Sequence, residues 1–135
     1  MKFHLIDTIL EQSDDRIVAI KQVSLAEEYL ADHFPSFPVL PGVLMIEAMV
    51  QAARAMLPNS PDAPLVLGEV RALKFGNMVR PGEALVVEVS LSKKNDDGSF
   101  VCKGTGTVRR PRNGAEDPQM QTAVSGKFTM RPARA

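Results

Sequence analysis

The segment from His33 to Gly42 (HFPSFPVLPG) constrains the fold of this chain more than any other part of the sequence. It holds three prolines in ten residues, and proline lacks a backbone N–H and fixes φ. The segment is therefore predicted to be neither a regular helix nor a central strand. We expect a stiff, extended loop, which holds its side chains in place at low entropy cost.

A strongly apolar helix is predicted directly after this loop, from Gly42 to Leu57. Pro41 stands where helices often begin, and Pro58 with Asn59 would end the helix. The apolar residues of this segment cover most of the circumference, so the helix needs burial nearly all round. These residues are Val43, Leu44, Met45, Ile46, Met49, Val50, Ala53 and Leu57.

Most of the remaining sequence favours strands separated by turns. Alternating apolar and polar residues predict a half-buried strand from Arg16 to Ser24. Pro111 to Pro118 is predicted to be a polar loop. Further strands are predicted at about 64–75, 84–93, 99–109 and 120–130.

Residues 3–11 leave two interpretations open. Phe3, Ile6, Ile9 and Leu10 have helical spacing, but isoleucine, threonine and phenylalanine also favour strands. In either case, one buried helix with several short antiparallel strands predicts an α+β domain in which the sheet wraps the helix.

Length, charge and cysteine content narrow the class of protein. A chain of 135 residues has the usual size of a single domain, here 1–135. Sixteen basic residues balance sixteen acidic ones, and this weak overall field argues against nucleic-acid binding. Cys102 is the single cysteine and is predicted to be a small buried hydrophobe rather than a nucleophile. A lone cysteine is consistent with a reducing compartment.

The sequence gives no sign of a membrane segment. Asp7 stands where a signal peptide would need an apolar run. The most apolar stretch, from Val43 to Leu57, contains three polar residues and is too short to span a bilayer comfortably. We therefore expect a cytoplasmic protein.

Four groups around the start of the predicted helix point to acid–base chemistry. His33 carries an imidazole, which titrates near neutral pH and can accept a proton. Glu47 lies among apolar neighbours, and desolvation favours the protonated, proton-donating form of a carboxylic acid. The N–H groups of Gly42 and Val43 open the helix without intrahelical partners and carry partial positive charge.

These groups match the needs of an elimination next to a thioester carbonyl. A base removes the α-proton, negative charge builds on the carbonyl oxygen, and an acid helps the β-hydroxyl leave as water. General acid–base catalysis is typically worth about 10²–10⁴-fold. Loss of one preorganised oxyanion donor typically costs about 3 kcal/mol.

The same stretch resembles the motif of the 3-hydroxyacyl-[acyl-carrier-protein] dehydratases of bacterial type II fatty acid synthesis. That motif is His-Phe-Pro, two variable residues, Pro, two variable residues, Pro-Gly-Val, then a helix with Glu-Ala-Met and Gln. A looser match covers most of residues 3–110, and the interval from histidine to glutamate is 14 residues, as in the family. In this chain the motif stands as His33-Phe34-Pro35, Pro38, Pro41-Gly42-Val43, Glu47-Ala48-Met49 and Gln51.

The resemblance implies a hot-dog fold, in which a curled antiparallel sheet wraps a long central helix. It implies homodimers, often three together, with His33 of one subunit facing Glu47 of the other as the catalytic pair. It also implies no metal and no bound cofactor, because the acyl chain arrives on the phosphopantetheine of acyl carrier protein. The residues expected to contact the substrate are Phe34, Phe37, Pro41 and Gln51.

The chain departs from the family pattern just before the motif. Where the family usually has Asn-Glu-Pro-Phe-Phe and a glycine, this chain has Ala26-Glu27-Glu28-Tyr29-Leu30 and Asp32. Arg54 also stands where small residues are common. These differences bear on chain-length preference and rate.

Two other functions remain as alternatives. Hot-dog domains also serve as thioesterases, and a non-catalytic acyl-binding subunit would keep the motif without the activity.

A dehydratase that acts on acyl carrier protein would need a basic surface patch, because the carrier protein is acidic. Six basic residues are candidates for this patch, although each of them could instead be an isolated charge exposed to solvent. The candidates are Arg71, Lys74, Arg80, Arg109, Arg110 and Arg112.

Overall fold

One long helix packs against a six-stranded antiparallel sheet in the computed structural model, which describes residues 4–58, 61–110 and 120–133. The strands are hydrogen-bonded in the order β1-β2-β4-β5-β6-β3. The expected α+β hot-dog architecture is thereby confirmed. The elements are β1 (Thr8–Gln12), β2 (Arg16–Gln22), a 3-10 turn (Glu28–Ala31), α1 (Gly42–Met56), β3 (Leu65–Phe75), β4 (Ala84–Lys94), β5 (Phe100–Arg109) and β6 (Met120–Pro132).

The N-terminal segment forms a strand hairpin, which settles the choice that its sequence left open. β1 pairs with β2, and the Ser13 N–H donates to the Arg16 carbonyl at 2.8 Å across the turn. Ile9 and Leu10 are exposed, so their helical spacing does not mark a buried helical face. The backbone N–H and C=O groups of this segment form their hydrogen bonds with the edge of β2 instead. Phe3 and Asn59, and the loop predicted at 111–118, lie outside the described residues.

The helix α1 begins after Pro41, whose carbonyl accepts the N–H groups of Leu44 at 3.0 Å and Met45 at 3.2 Å. Burial is less complete than its apolar composition predicts, because Val43 is 69% exposed in the single chain. Among the described residues, no helix is long and apolar enough to cross a membrane. The buried residues of the helix are Met45, Ala48, Met49, Val50, Ala52, Ala53 and Met56.

A glycine on β5 lets the helix approach the sheet closely. A Cβ on Gly104 would lie 2.6 Å from the sulfur of Met49 on α1, whereas one on Gly106 would lie 2.7 Å from Val124 of the neighbouring strand β6. Cys102, on the same inner face, is fully buried, as expected for a small hydrophobe. Burial raises the pKa of its thiol to about 11, so the reactive thiolate is scarce at neutral pH.

The strand β3 lies at one edge of the sheet and pairs with β6 alone. Its pairing is irregular between Leu67 and Glu69 and between Arg71 and Lys74, and Ala72 has a φ of 50°. Such bulges bend a strand and increase its twist. Most of β3 is exposed, so an eleven-residue strand edge faces outward in the single chain.

Candidate active site

The proline-rich loop is fastened to the core at its C-terminal end. Val39 and Leu40 are buried, and the Leu40 N–H donates to the carbonyl of Val79 at 2.8 Å. This contact joins the loop to the segment that follows β3. The start of α1 is therefore held by tertiary contacts as well as by the fixed φ of Pro41.

The first half of the loop folds back rather than running extended, which corrects the expectation from sequence. The Phe37 N–H donates to the Phe34 carbonyl at 3.1 Å, which closes a turn. Both phenyl rings stay largely outside the core, with Phe34 54% and Phe37 43% exposed. The guanidinium of Arg80 lies 3.8 Å above the Phe37 ring, a favourable cation–π position.

The imidazole of His33 is oriented from two sides. Its Nδ1 lies 3.0 Å from the carbonyl oxygen of Val39, and the Phe34 ring stacks on it with centroids 4.5 Å apart. A carbonyl oxygen can only accept a hydrogen bond, so Nδ1 must carry the proton in this contact. The neutral ring then presents Nε2 as an unprotonated base. The Val39 N–H also donates to the His33 carbonyl at 2.9 Å, which fixes the backbone of the same pair.

The carboxylate of Glu47 lies on α1 and is held by Gln51, one turn further along. The Gln51 amide donates to Glu47 Oε1 at 3.3 Å, while its own oxygen accepts the Leu5 N–H at 2.9 Å. Leu5 is buried, so Gln51 is anchored to a fixed part of the backbone. These contacts give Gln51 a positioning role towards Glu47. Its expected contact with substrate stays a prediction.

The first two N–H groups of α1 are the candidates for stabilising a substrate oxyanion. Among the described residues, no acceptor bonds to the N–H groups of Gly42 and Val43. The phenyl ring of Phe75 covers this point, because a Cβ on Gly42 would lie 2.8 Å from its Cε1 atom. Phe75 lies outside the family motif. Its position beside the helix start depends on the path of β3, which the local sequence does not show.

Within the described ranges of the single chain, the structure gives no hydrogen bond or ion pair between His33 and Glu47. In the same part of the chain, no group of three or more His, Cys, Asp or Glu side chains is placed to hold a metal ion.

A model of the ApeI-like family, described as ApeI dehydratase, matches residues 10–110. The chain belongs to this family. The resemblance inferred from the motif is therefore confirmed at the level of the family.

Curated relatives of this family member carry the name 3-hydroxyacyl-[acyl-carrier-protein] dehydratase FabZ. The protein of Thermotoga petrophila is 42% identical over 88 residues, which is 64% of either chain, so the alignment leaves about a third of that relative unmatched. The protein of Petrotoga mobilis is 38% identical over 109 residues, 78% of this chain and 77% of the relative.

A solved structure shares the fold of this family member. It is described as the dehydratase heterocomplex ApeI:P from Xenorhabdus doucetiae, with a TM-score of 0.65 and 18% sequence identity. The match covers 93% of this chain and 96% of that one. At this identity the likeness concerns the fold alone.

A network of charged and polar groups holds the segment just before His33, where the sequence departs from the family pattern. The Lys21 amine lies 2.7 Å from Glu27 Oε1, and both side chains are largely buried. The same carboxylate accepts the Tyr29 hydroxyl at 2.6 Å and the Ser24 N–H at 2.8 Å. Glu27 and Tyr29 therefore fix the turn that leads into the proline-rich loop.

The acidity of Glu27 reflects competing effects. Burial works to raise the pKa of Glu27, but the hydrogen bonds from Lys21, Tyr29 and the Ser24 N–H outweigh it and hold the pKa below the usual 4.5. A carboxylate with a lowered pKa stabilises the fold above its unfolded-state pKa. That contribution is lost as the pH falls through the lowered folded-state value.

Replacing Glu27 with glutamine is expected to lower the free energy of unfolding at pH 7 by about 1–3 kcal/mol, since hydrogen bonds to a charged group are lost. The difference between variant and wild type should shrink as the pH falls below 4.5. Thermal unfolding followed by circular dichroism between pH 3 and pH 7 would measure it. Glu28→Gln, at an exposed neighbouring carboxylate, is the control and should change little. A loss that is independent of pH would contradict this account of the network.

Proposed function

We propose that this chain dehydrates 3-hydroxyacyl thioesters on acyl carrier protein to trans-2-enoyl thioesters, a step of fatty acid biosynthesis. The proposal rests on the hydrogen bond between Nδ1 of His33 and the carbonyl of Val39, because this bond leaves Nε2 free to act as a base. Membership of the ApeI-like dehydratase family supports the reaction class. The substrate is suggested by curated relatives named as 3-hydroxyacyl-[acyl-carrier-protein] dehydratases.

The reaction follows from four groups of this chain. Nε2 of His33 takes the α-proton, and the electrons of the broken C–H bond move towards the thioester carbonyl. The free N–H groups of Gly42 and Val43 stabilise the oxygen that gains charge. Glu47 gives a proton to the β-hydroxyl, the C–O bond breaks, and water leaves with formation of the C=C bond. Transfer of the proton from imidazolium back to the carboxylate, directly or through water, restores both groups.

We place the complete site at the interface of a homodimer, with His33 from one subunit and Glu47 from the other. The absence of a hydrogen bond or ion pair between these side chains in the described part of one chain supports this arrangement. The exposed edge of β3 offers a long row of backbone groups to a second copy, since an unpaired strand edge is a template for pairing. The larger assembly of three dimers rests on the family resemblance alone.

The acyl chain and its carrier would approach along the exposed apolar side chains near the helix start. Phe34, Phe37 and Pro41 lie on the loop that presents His33, and exposed apolar surface of this kind often marks a binding site. Phosphopantetheine, which is part of the substrate, supplies the thioester, and the chemistry involves no net oxidation or reduction. No resident cofactor is therefore required by the proposed reaction.

The candidate docking residues for the acidic carrier protein fall into two groups. Arg71 pairs with Glu69 and Arg110 with Glu83, so their charges are already compensated. Lys74, Arg80 and Arg109 are exposed, with no acidic partner among the described residues, and of these Arg80 adjoins Phe37. We therefore assign carrier docking to the surface around Arg80. Arg112 lies outside the described residues.

An assay with purified protein tests the proposal and its two alternatives. Both 3-hydroxyacyl and acyl thioesters are supplied, while enoyl absorbance and thiol release are followed separately. Enoyl product without thiol supports dehydration. Thiol release without enoyl product would indicate a thioesterase, and the absence of both would indicate a non-catalytic acyl-binding subunit.

We also infer that the protein is cytoplasmic, and the free cysteine Cys102 supports this inference.

A further inference from the structure

Two lysines face each other on the outer side of the sheet. Lys103 of β5 lies directly opposite Lys127 of β6. Cys102, Gly104 and Phe128 are buried on the inner side, so alternation along each strand directs both lysines away from α1. Directly opposed residues of an antiparallel pair have Cβ atoms about 5 Å apart, and like charges there are destabilising.

A third lysine and two hydroxyl groups complete a depression on this face. Lys74 of the edge strand β3 lies opposite Ser125, which in turn lies opposite Thr105. Together with Lys103 and Lys127 these residues line a concave space of about 340 Å³, termed the lysine pocket. It lies on the opposite side of the sheet from the helix that carries Glu47.

The charges of the lysine pocket are not compensated within the described part of the chain. Glu69 is engaged by Arg71 at 2.9 Å, and Glu88 by Arg16 at 2.8 Å. Among the residues that the structure describes, no carboxylate forms an ion pair with the three lysines. The fold therefore holds three ammonium groups around one depression at a cost in electrostatic repulsion.

We propose that the lysine pocket binds a phosphate-bearing small molecule with at least two adjacent negative charges, such as a diphosphate group. Lysine binds phosphate as a point charge, and the hydroxyls of Thr105 and Ser125 add donors to phosphate oxygens. The volume is at the small end of ligand pockets, which suits a compact anion rather than a long acyl chain. This inference does not rest on the proposed dehydration, since no residue of the pocket belongs to the proposed catalytic site; Lys74, a candidate for carrier docking, is assigned here to the lysine pocket.

Isothermal titration calorimetry at low ionic strength tests the proposal with inorganic pyrophosphate, ADP and coenzyme A as separate probes. Saturable binding of pyrophosphate is expected, and it should weaken as salt is added. Similar affinities for all three probes would identify the diphosphate as the recognised group. Tighter binding of ADP would show that the attached nucleoside contributes. Coenzyme A also carries a pantetheine arm that fits the proposed catalytic site, so only the part of its binding that Lys103→Gln removes is assigned to the lysine pocket. Absence of saturable binding by all three probes would overturn the proposal.

Lys103→Gln and Lys127→Gln are each expected to weaken pyrophosphate binding about tenfold, because one charge-assisted contact is lost. Each substitution also removes the opposed like charge, so the melting temperature should stay the same or rise. Lys94→Gln, at an exposed lysine outside the pocket, is the matched control and should bind as the wild type does. Equal binding by all variants would show that pyrophosphate associates with surface lysines in general, and it would also overturn the proposal.

Discussion

Replacing His33 with alanine is expected to lower kcat/KM for enoyl formation about 10²–10⁴-fold, the usual worth of a positioned general base. The loss follows from removal of Nε2, the nitrogen left unprotonated when Nδ1–H donates to the Val39 carbonyl. Enoyl absorbance under subsaturating 3-hydroxyacyl thioester measures it directly. Because His33 is only half-buried, the fold should survive the substitution, and circular dichroism would verify this.

His4→Ala provides a matched control for this experiment. His4 is the other histidine of the chain and is exposed, so its removal should leave kcat/KM unchanged. If the His33 variant kept wild-type activity while folding normally, the assignment of the base would be wrong. A loss shared equally by both variants would instead point to a non-specific effect on the protein.

Replacing Glu47 with glutamine is expected to lower the rate by a similar factor of about 10²–10⁴, since the amide cannot deliver a proton to the departing hydroxyl. Glutamine is nearly isosteric, so the contact with Gln51 can persist and the fold should hold. The proposed homodimer leads to a further prediction. If His33 and Glu47 come from different subunits, two inactive chains can complement each other.

Complementation is tested by co-expressing His33→Ala and Glu47→Gln chains with different affinity tags and purifying the mixed dimers. Each mixed dimer holds one site with both groups intact and one with neither, so about half of the wild-type activity is expected. Each variant alone should stay inactive. Mixed dimers without activity would show that the two groups act within one chain, and the proposed interface would then be wrong.

The local sequence was sufficient for the elements that depend on nearest neighbours. Three prolines exclude regular structure from the proline-rich loop, and Pro41 marks the start of α1 as predicted. Period-two alternation located β2, and turn residues separated the later strands. The motif also identified the family, because the order and spacing of its residues are specific.

Properties set by distant parts of the chain needed the tertiary structure. The N-terminal segment is a strand because β2 offers it an edge, whereas its own spacing was ambiguous. Gln51 holds Glu47 because the Leu5 amide approaches it from 46 residues away. The lysine pocket can be recognised only once the register of β5 and β6 is known.

The sequence by itself determined which chemical groups this protein carries and in what order, since proline geometry, helix starts and residue types are local properties. Only the tertiary structure decided which nitrogen of His33 is available, because the partner carbonyl of Val39 is placed by the fold of the loop. It also decided that Phe75 covers the helix start, since that contact joins the end of β3 to Gly42. Contacts between segments far apart in sequence depend on packing and register, and no local pattern encodes them.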